Sequence, residues 1–195
     1  MPEMPDPLAY LAERIRACTR CPLHQTRTRA VPGEGPPHPR VMLIGEAPGF
    51  YEDRSGRPFV GAAGKFLNAL LDRAGLSRED VFITNIVKCR PPGNRDPLPA
   101  EVEACKPYLE EQIRLLDPRV IVTLGRFAMA YFLPQARISR VHGQPFQVGE
   151  RWLVPMYHPA AGLYREALRP VIEADFDRLR SFLAALDRQG ALPLS

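Results

Sequence analysis

The chain contains 195 residues, of which 45% are hydrophobic and 25% are charged, as in an ordinary globular protein. No apolar run approaches the roughly 18 residues that a membrane-spanning helix needs, and the polar, proline-rich residues 1–6 do not resemble a secretory signal. We therefore expect a cytoplasmic monomer that binds no membrane, with one domain over residues 1–195 and a frayed tail over 189–195.

The basic residues are unevenly distributed, although the net charge is only +4. Residues 14–45 carry six arginines against Glu34 alone, and residues 119–169 carry seven arginines against two glutamates. Two basic stretches in a nearly neutral chain can form one positive face for a polyanion such as a nucleic acid. Arginine far outnumbers lysine, which the base composition of the gene explains equally well. Charge alone therefore does not establish that the chain binds a polyanion.

Sequence patterns predict helices that alternate with short buried strands. Apolar runs bounded by turn residues predict strands at 41–44, 81–87, 120–124 and 152–156. Amphipathic spacing predicts helices at 6–17, 64–74, 99–116, 126–132 and 166–186. The segment 50–60 is predicted to be a polar loop, and 138–151 an irregular segment that can form a small hairpin. This order predicts a three-layer α/β/α fold with a central four-stranded, mainly parallel sheet.

The four cysteines have the spacing of a metal site. Cys18 and Cys21 form a C-x2-C pair, whose short loop lets two thiolates bind one metal centre. Cys89 follows a predicted strand, and Cys105 lies on the inward face of a predicted helix. Cys89 and Cys105, the second pair, are widely spaced along the chain. A [4Fe–4S] cluster, which takes four thiolates, suits such a pair best. A zinc site and ordinary buried thiols remain the alternatives.

Three of the four predicted strands end in polar or glycine-rich segments. Parallel sheets bind ligands beyond the carboxyl ends of their strands, so these segments are candidates for one site. The turn Gly45-Glu-Ala-Pro-Gly49 can present backbone N–H groups, but it lacks the Lys-Ser/Thr of a nucleoside-triphosphate loop. Asn85 interrupts a β-rich run, where asparagine is disfavoured, and His158 precedes a proline at the last strand end.

Each of these residues has a functional and a structural interpretation. The amide of Asn85 offers one donor and one acceptor, which match O4 and N3–H of uracil, or it bonds neighbouring backbone. His158 can donate to a developing anion or be an ordinary core histidine. Phe59 can be a platform for a flat base or a core residue, and Glu46 can orient water or be a solvated loop acid.

Taken together, the motifs resemble those of family 4 uracil-DNA glycosylases, the iron–sulfur members of their superfamily. The resemblance implies removal of uracil from DNA, a [4Fe–4S] cluster, and a four-stranded parallel sheet flanked by helices. It runs from about Cys18 to the final helix. The motifs that carry it, besides the four cysteines, are Gly45-Glu-Ala-Pro-Gly49, Gly56-Arg-Pro-Phe-Val-Gly61, Thr84-Asn-Ile-Val-Lys-Cys-Arg-Pro-Pro92 and His158-Pro159.

The resemblance also implies a role for individual residues. Phe59 matches the stacking aromatic, Asn85 the uracil-reading amide, and His158 the histidine that contacts uracil O2. Glu46 is our candidate to orient the attacking water, with Asn94 as a second polar residue near the pocket. The residues that match the uracil pocket are Glu46, Ala47, Pro48, Phe59, Asn85 and His158. The residues that match the cluster ligands are Cys18, Cys21, Cys89 and Cys105.

The segment 160–165 directly follows His158-Pro159 and is predicted to be a loop that enters the DNA. Leu163 or Tyr164 would fill the space that a flipped base vacates, and Arg165 would hold a phosphate. Lys88 and Arg90 flank a predicted cluster ligand and are expected near the DNA face.

Two other classes of protein remain possible from the residues alone. A cluster-bearing nucleic-acid-binding module without activity explains the cysteines and arginines, but not the polar strand ends. A small zinc-stabilised nucleotide hydrolase is the third interpretation.

Overall fold

The computed structural model describes residues 6–190, which contain one five-stranded sheet. Its strand order is β2-β1-β3-β5-β4, with neighbouring strands parallel except for the antiparallel pair β4 and β5. The strands are β1 (Val41–Gly45), β2 (Val81–Asn85), β3 (Val120–Leu124), β4 (Phe146–Val148) and β5 (Arg151–Met156).

Helices cover the sheet and connect its strands. They are α1 (Pro7–Arg16), α2 (Leu23–Thr26), α3 (Phe50–Ser55), α4 (Ala62–Arg73), α5 (Pro99–Leu116), α6 (Arg126–Phe132), α7 (Ile138–Val141), α8 (Pro159–Tyr164) and α9 (Arg169–Gly190). Short 3₁₀ turns lie at Arg78–Asp80, Pro92–Asn94 and Glu166–Leu168. Among the described residues, no helix combines the length and apolarity that a bilayer crossing requires.

The three-layer prediction is confirmed by the two hydrophobic cores. Alternate residues of a strand face opposite sides of a sheet. Val41 and Leu43 of β1 accordingly pack in one core with residues of α4 and α9, whereas Met42 and Ile44 pack in the other with residues of α1 and α5. All five residues of β1, β2 and β3 are buried, as expected for strands covered on both faces.

The predicted count of four strands is one too low. The missing strand is β4, which pairs with β5 across a two-residue turn at Gly149 (φ 62°). The sequence does not reveal β4 because it has only three residues, none of them fully buried. Only the first strand of the expected hairpin lies within 138–151, since its second strand is β5 and helix α7 occupies the start of that segment. The hairpin forms the antiparallel edge of the sheet.

Two segments predicted as loops contain short helices that bound the functional site. Helix α3 lies within the predicted loop 50–60; Glu52 accepts from the N–H of Gly49 at 3.2 Å, and Gly56 (φ 74°) ends the helix. Helix α8 replaces the predicted loop 160–165 and begins at Pro159, where proline's missing N–H costs nothing. Each helix has only six residues, too few for an apolar period to predict it from the sequence.

The C-terminal helix is shifted relative to its prediction. A 3₁₀ turn occupies Glu166–Leu168, and α9 runs from there to Gly190. Residues 189–190 of the expected frayed tail are therefore helical, whereas 191–195 lie outside the described residues. Before the first helix, Asp6 caps α1 by accepting from the N–H of Leu8 at 3.1 Å.

The sheet brings the polar strand ends together. Gly45 and Asn85 are direct partners at the carboxyl ends of β1 and β2. Strand β5 ends at Met156, whose carbonyl accepts from the N–H of Gly125 at the end of β3. His158 follows two residues later, so the three strand ends lie on one edge of the sheet.

Candidate active site

A cavity of about 610 Å³ opens at this edge, within the range of ligand-binding pockets. Phe59, Asn85 and His158 all line it, as the sequence predicted for a shared base pocket. The other predicted site residues that line the same cavity are Glu46, Ala47, Pro48, Asn94, Leu163 and Tyr164.

The aromatic ring of Phe59 lies against both the imidazole of His158 and the end of β1. The two rings are nearly parallel, with an interplanar angle of 27° and centroids 5.6 Å apart. A methyl group on Gly45 would lie 2.7 Å from Cζ of Phe59 and 2.5 Å from Oδ1 of Asn85. Gly45 is therefore needed for the ring and the amide to approach each other.

The Gly45→Ala variant tests this close approach. The added methyl group pushes Phe59 and Asn85 apart, and a displacement of about 1 Å at a reacting group can cost roughly 10²-fold in rate. We expect a loss of that order in uracil release from DNA. Gly61→Ala is the matched control, since Gly61 lines the same cavity but its methyl group has ordinary contacts of 3.4 Å or more. Equal rates for both variants would contradict the geometry.

The side-chain oxygen of Asn85 has an unmet hydrogen bond. Asn85 is 2% exposed, and its Oδ1 is buried without a partner within residues 6–190. Leaving a buried acceptor unsatisfied costs about 1–3 kcal/mol, so such an atom in a cavity wall favours a ligand that donates.

The protonation state of His158 follows from its surroundings. Its Nδ1 accepts from the N–H of Ala160 at 3.1 Å, which requires the proton to be on Nε2. Burial lowers the pKa of His158 to about 4, so the ring is neutral at pH 7. His158 is thus a neutral donor through Nε2.

Glu46 forms a carboxyl pair with Asp96, which the sequence analysis missed. Burial, and then the charge of Asp96, raises the pKa of Glu46 to about 7, partly offset by Arg126. Asp96 lines the cavity and lies 3.6 Å from a guanidinium nitrogen of Arg126. Asp96 sits in a proline-rich loop without periodicity, so no sequence signal pointed to it.

The family assignment follows from comparison with known proteins. A family model described as the uracil DNA glycosylase superfamily matches residues 32–186. This chain belongs to the uracil-DNA glycosylase superfamily. The matched range contains the whole cavity and two of the four cysteines.

Curated relatives within the superfamily cover nearly the whole chain. The type-4 uracil-DNA glycosylase of Archaeoglobus fulgidus is 49% identical over 184 residues, which span 89% of this chain and 92% of the relative. That of Sulfurisphaera tokodaii is 47% identical, with coverage of 90% and 84%. That of Thermotoga maritima is 43% identical, with coverage of 90% and 94%.

Glu52 stabilises one wall of the cavity through hydrogen bonds with the backbone. Its carboxylate accepts from the backbone N–H groups of Gly49, Val60 and Gly61 at 3.2, 3.1 and 3.0 Å. The carboxylate thereby connects the turn after β1 to the segment that carries Phe59. Neighbouring Tyr51 lines the cavity and is 64% exposed.

The residues predicted to contact DNA differ in their exposure to solvent. Leu163 and Tyr164 of α8 line the cavity with exposed side chains, and Arg165 is exposed directly after them. Arg90 is half-buried and donates from Nε to Oδ1 of Asn94 at 2.6 Å. The expectation for Lys88 is wrong, because its side chain points into the protein.

Lys88 is 1% exposed and spans the end of β2. Its Nζ donates to Oγ1 of Thr84 at 2.6 Å, to the carbonyl of Asn85 at 2.7 Å and to Oε1 of Gln112 at 2.6 Å. Gln112 in turn donates to the carbonyl of Pro32 at 2.6 Å. These acceptors satisfy the buried Nζ, and the side chain therefore supports the strand end that carries Asn85.

The four cysteines share one small pocket on the α1 and α5 side of the sheet. Three of their sulfurs accept N–H hydrogen bonds: Cys18 from the backbone of Arg20 at 3.4 Å, Cys105 from the backbone of Lys88 at 3.3 Å, and Cys89 from Nη1 of Arg27 at 3.2 Å. Such donors suit thiolates bound to a cluster. Within residues 6–190, no group of cysteine, histidine or acidic side chains is preformed around a single ion.

Proposed function

We propose that this protein is a monofunctional uracil-DNA glycosylase, which hydrolyses the N-glycosidic bond of uracil in DNA and leaves an abasic site. The observation that carries the proposal is the cavity shared by Phe59, Asn85 and His158. The names of the curated relatives support it. We further infer a monomer acting in the cytoplasm, where thiols stay reduced.

Recognition of the base begins with its removal from the helix, since the target atom is inaccessible within a duplex. The flipped uracil stacks on Phe59. Oδ1 of Asn85 accepts from N3–H of uracil, and the amide nitrogen donates to O4. Cytosine presents an acceptor at N3 and a donor at its amino group, so the same amide disfavours it.

Bond cleavage places negative charge on the departing base. The C1′–N1 bond breaks with its electron pair moving to the base, which leaves a cationic sugar and a uracil anion. Nε2–H of His158 donates to O2, where part of this charge develops. A preorganised donor of this kind typically contributes about 3–4 kcal/mol to transition-state stabilisation. A neutral histidine performs this role without giving up its proton.

The attacking water is oriented by ionised Glu46, with the amide of Asn94 as a further polar contact on the same wall. Water adds to C1′ and transfers a proton to the carboxylate of Glu46, and the uracil anion takes up a proton as it is released, which completes hydrolysis. Strand cleavage by a lyase route needs an amine at C1′. No lysine lines the cavity within residues 6–190, which supports hydrolysis without strand scission.

The raised pKa of Glu46 predicts an acidic limit to activity. Glu46 loses its proton as pH rises through about 7, so uracil release is expected to fall as pH drops below that value. Asp96→Asn removes the neighbouring charge and lowers the pKa of Glu46. The acidic limb of the pH profile, in which uracil release falls, therefore shifts to lower pH. The measurement is single-turnover uracil release from pH 5 to 9, with exposed Asp72→Asn as the control. An unshifted limb in Asp96→Asn would contradict the pairing.

We propose that Cys18, Cys21, Cys89 and Cys105 hold a [4Fe–4S] cluster. Their common pocket and the three N–H donors to sulfur support this donor set. The cluster supplies a structural cross-link, which ties the segment after α1 to the end of β2 and to α5. Cys105 and the backbone of Lys88 then connect it to the strand that carries Asn85.

The cluster proposal predicts a brown protein with absorbance near 400 nm and about four irons per chain. Cys21→Ser is expected to lower both the iron content and the melting temperature, because it removes one ligand of the cross-link. Iron content is measured on anaerobically purified protein, beside zinc content. One zinc per chain without iron would replace the cluster by a zinc site.

The contact with DNA is proposed to centre on α8. Leu163 is 41% exposed and Tyr164 is 87% exposed, and both line the mouth of the cavity. A large side chain from this helix would fill the space left by the flipped base, and Arg165 would bind a phosphate.

The direct test is incubation with a uracil-containing oligonucleotide, followed by hot alkali. Scission at the uracil position is expected after alkali and not before it. An otherwise identical oligonucleotide with thymine should remain intact. Binding without alkali-dependent scission would instead favour the non-enzymatic nucleic-acid-binding module.

A further inference from the structure

The mouth of the cavity carries exposed apolar side chains, and those from α3 have no role in the mechanism above. Seven large hydrophobic side chains are exposed within residues 6–190, and four of them line this one cavity. Leu163 and Tyr164 come from α8, whereas Phe50 and Tyr51 come from α3. This concentration of exposed apolar side chains marks the α3 side of the mouth as a second binding surface.

Phe50 holds two arginines at this surface. The guanidinium carbon of Arg54 lies 4.4 Å from the centroid of its ring, and that of Arg90 lies 5.3 Å from the same centroid. Arg90 is further fixed by Asn94, whose Oδ1 accepts from Nε at 2.6 Å. The two distances place both guanidinium groups within about 10 Å of each other at one ring.

Neither arginine forms an ion pair with an acidic side chain of residues 6–190. Nearby arginines differ in this respect: Arg57 pairs with Glu34, and Arg95 pairs with Glu101. Two like charges held at one ring repel each other, and an anion between them removes that repulsion. Two guanidinium groups at one ring supply donors for one phosphate or for two neighbouring phosphates of a DNA strand.

We propose that Phe50, Arg54 and Arg90 form a phosphodiester clamp for the DNA strand that carries the uracil. The inference rests on the proposed function and adds a binding site on a different element from α8. The ring restricts the two guanidinium groups before DNA binds, so less side-chain entropy is lost on binding. Asn94 connects the clamp to the wall of the cavity.

The test measures the affinity for an oligonucleotide with 2′-fluoro-deoxyuridine, which resists cleavage, across a range of salt concentrations. Each lost phosphate contact reduces the slope of log K against log salt by about 0.7–0.9. Arg54→Gln is expected to show this reduction and a Kd about three- to tenfold higher. Arg73→Gln is the control with the same charge change, since Arg73 pairs with Asp177 and Glu173.

The Phe50→Leu variant tests the contribution of the aromatic ring apart from that of the two arginine charges. It keeps both arginines and is expected to raise Kd about threefold, because the guanidinium groups lose their common support. The clamp is overturned if Arg54→Gln matches Arg73→Gln in slope and affinity, or if Phe50→Leu binds like the parent. A parent protein that releases no uracil would instead defeat the proposed function, and the binding comparison would still be readable.

The backbone conformation of Phe59 independently indicates a residue that positions the stacking ring. Phe59 has φ 49°, a left-handed conformation that is strained for a residue with a side chain. Arg78 donates from Nη1 to the carbonyl of Phe59 at 2.8 Å and from Nη2 to the carbonyl of Pro58. Gly64 is required opposite, since a methyl group there would lie 1.9 Å from the same Phe59 carbonyl oxygen.

The guanidinium of Arg78 is itself held on two sides. Glu34 accepts from its Nε and Nη2 at 3.2 and 3.1 Å, and Oδ1 of Asn68 accepts from Nη1 at 3.2 Å. Glu34 also binds Arg57 with two bonds of 2.9 and 3.0 Å. We infer that Arg78 positions the stacking ring by restraining the strained backbone of Phe59.

The affinity for free uracil tests this role without involving DNA binding. Arg78→Gln is expected to weaken it about tenfold, whereas Arg57→Gln disturbs the same glutamate but neither carbonyl, and should bind nearly as the parent does. Arg78→Lys keeps one strong donor and should recover part of the loss. Equal uracil affinities for Arg78→Gln and Arg57→Gln, in proteins with equal melting temperatures, would overturn the role.

Discussion

Replacement of His158 by alanine is expected to slow uracil release by roughly 10²–10³-fold, because it removes the donor to the developing charge on O2. The hydrogen bond from Ala160 to Nδ1 leaves the proton on Nε2, and burial keeps the ring neutral at pH 7. The loss should therefore appear in the single-turnover rate at saturating DNA, while the affinity for uncleavable DNA stays near that of the parent.

His38→Ala is a suitable control, since His38 is exposed and does not line the cavity. The acidic limb of the pH profile should persist in the His158 variant, because that limb is attributed to Glu46. A His158→Ala protein with a rate near the parent's would return this histidine to a purely structural role.

The Asn85→Asp variant is expected to reverse much of the preference for uracil over cytosine. An ionised carboxylate cannot donate to O4 of uracil, but it can accept from the amino group of cytosine. Sites built around a specific hydrogen-bond pattern discriminate by about 10⁴, so a decrease of at least 10² in the uracil-to-cytosine rate ratio is expected. The ratio is measured with paired oligonucleotides that differ only in the target base.

The pH dependence of this variant provides an internal check. Burial at the strand end favours the neutral acid, which presents one donor and one acceptor as the amide does. The neutral acid can donate to O4, so the variant's affinity for free uracil is expected to recover partly as pH falls. Gln135→Glu, at an exposed position, controls for the added charge. An unchanged base preference at every pH would remove Asn85 from base recognition.

The sequence reveals the location of the site because parallel strands align their carboxyl ends. Because β1, β2 and β5 run parallel, Gly45, Asn85 and His158 lie on one edge of the sheet. The same reasoning could not give the direction of a side chain beyond the strand. Lys88 was therefore expected at the surface, although hydrogen bonds to Thr84 and Gln112 hold it inside.

The residues that the sequence analysis missed act through long-range contacts. Asp96 reaches Glu46 from the loop before α5, and Arg78 reaches the backbone of Phe59 from the turn before β2. Neither residue belongs to a periodic segment or a motif. Their roles depend on loops meeting in three dimensions, which spacing along the chain does not encode.

In the proposed function, one cavity holds a single expelled pyrimidine against an aromatic ring, an amide and an imidazole. A crystal structure of the protein soaked with free uracil tests it most directly. We expect uracil stacked on Phe59, with N3 and O4 at the amide of Asn85 and O2 at Nε2 of His158. Uracil bound elsewhere, or in this cavity without contact to Asn85 and His158, would contradict it.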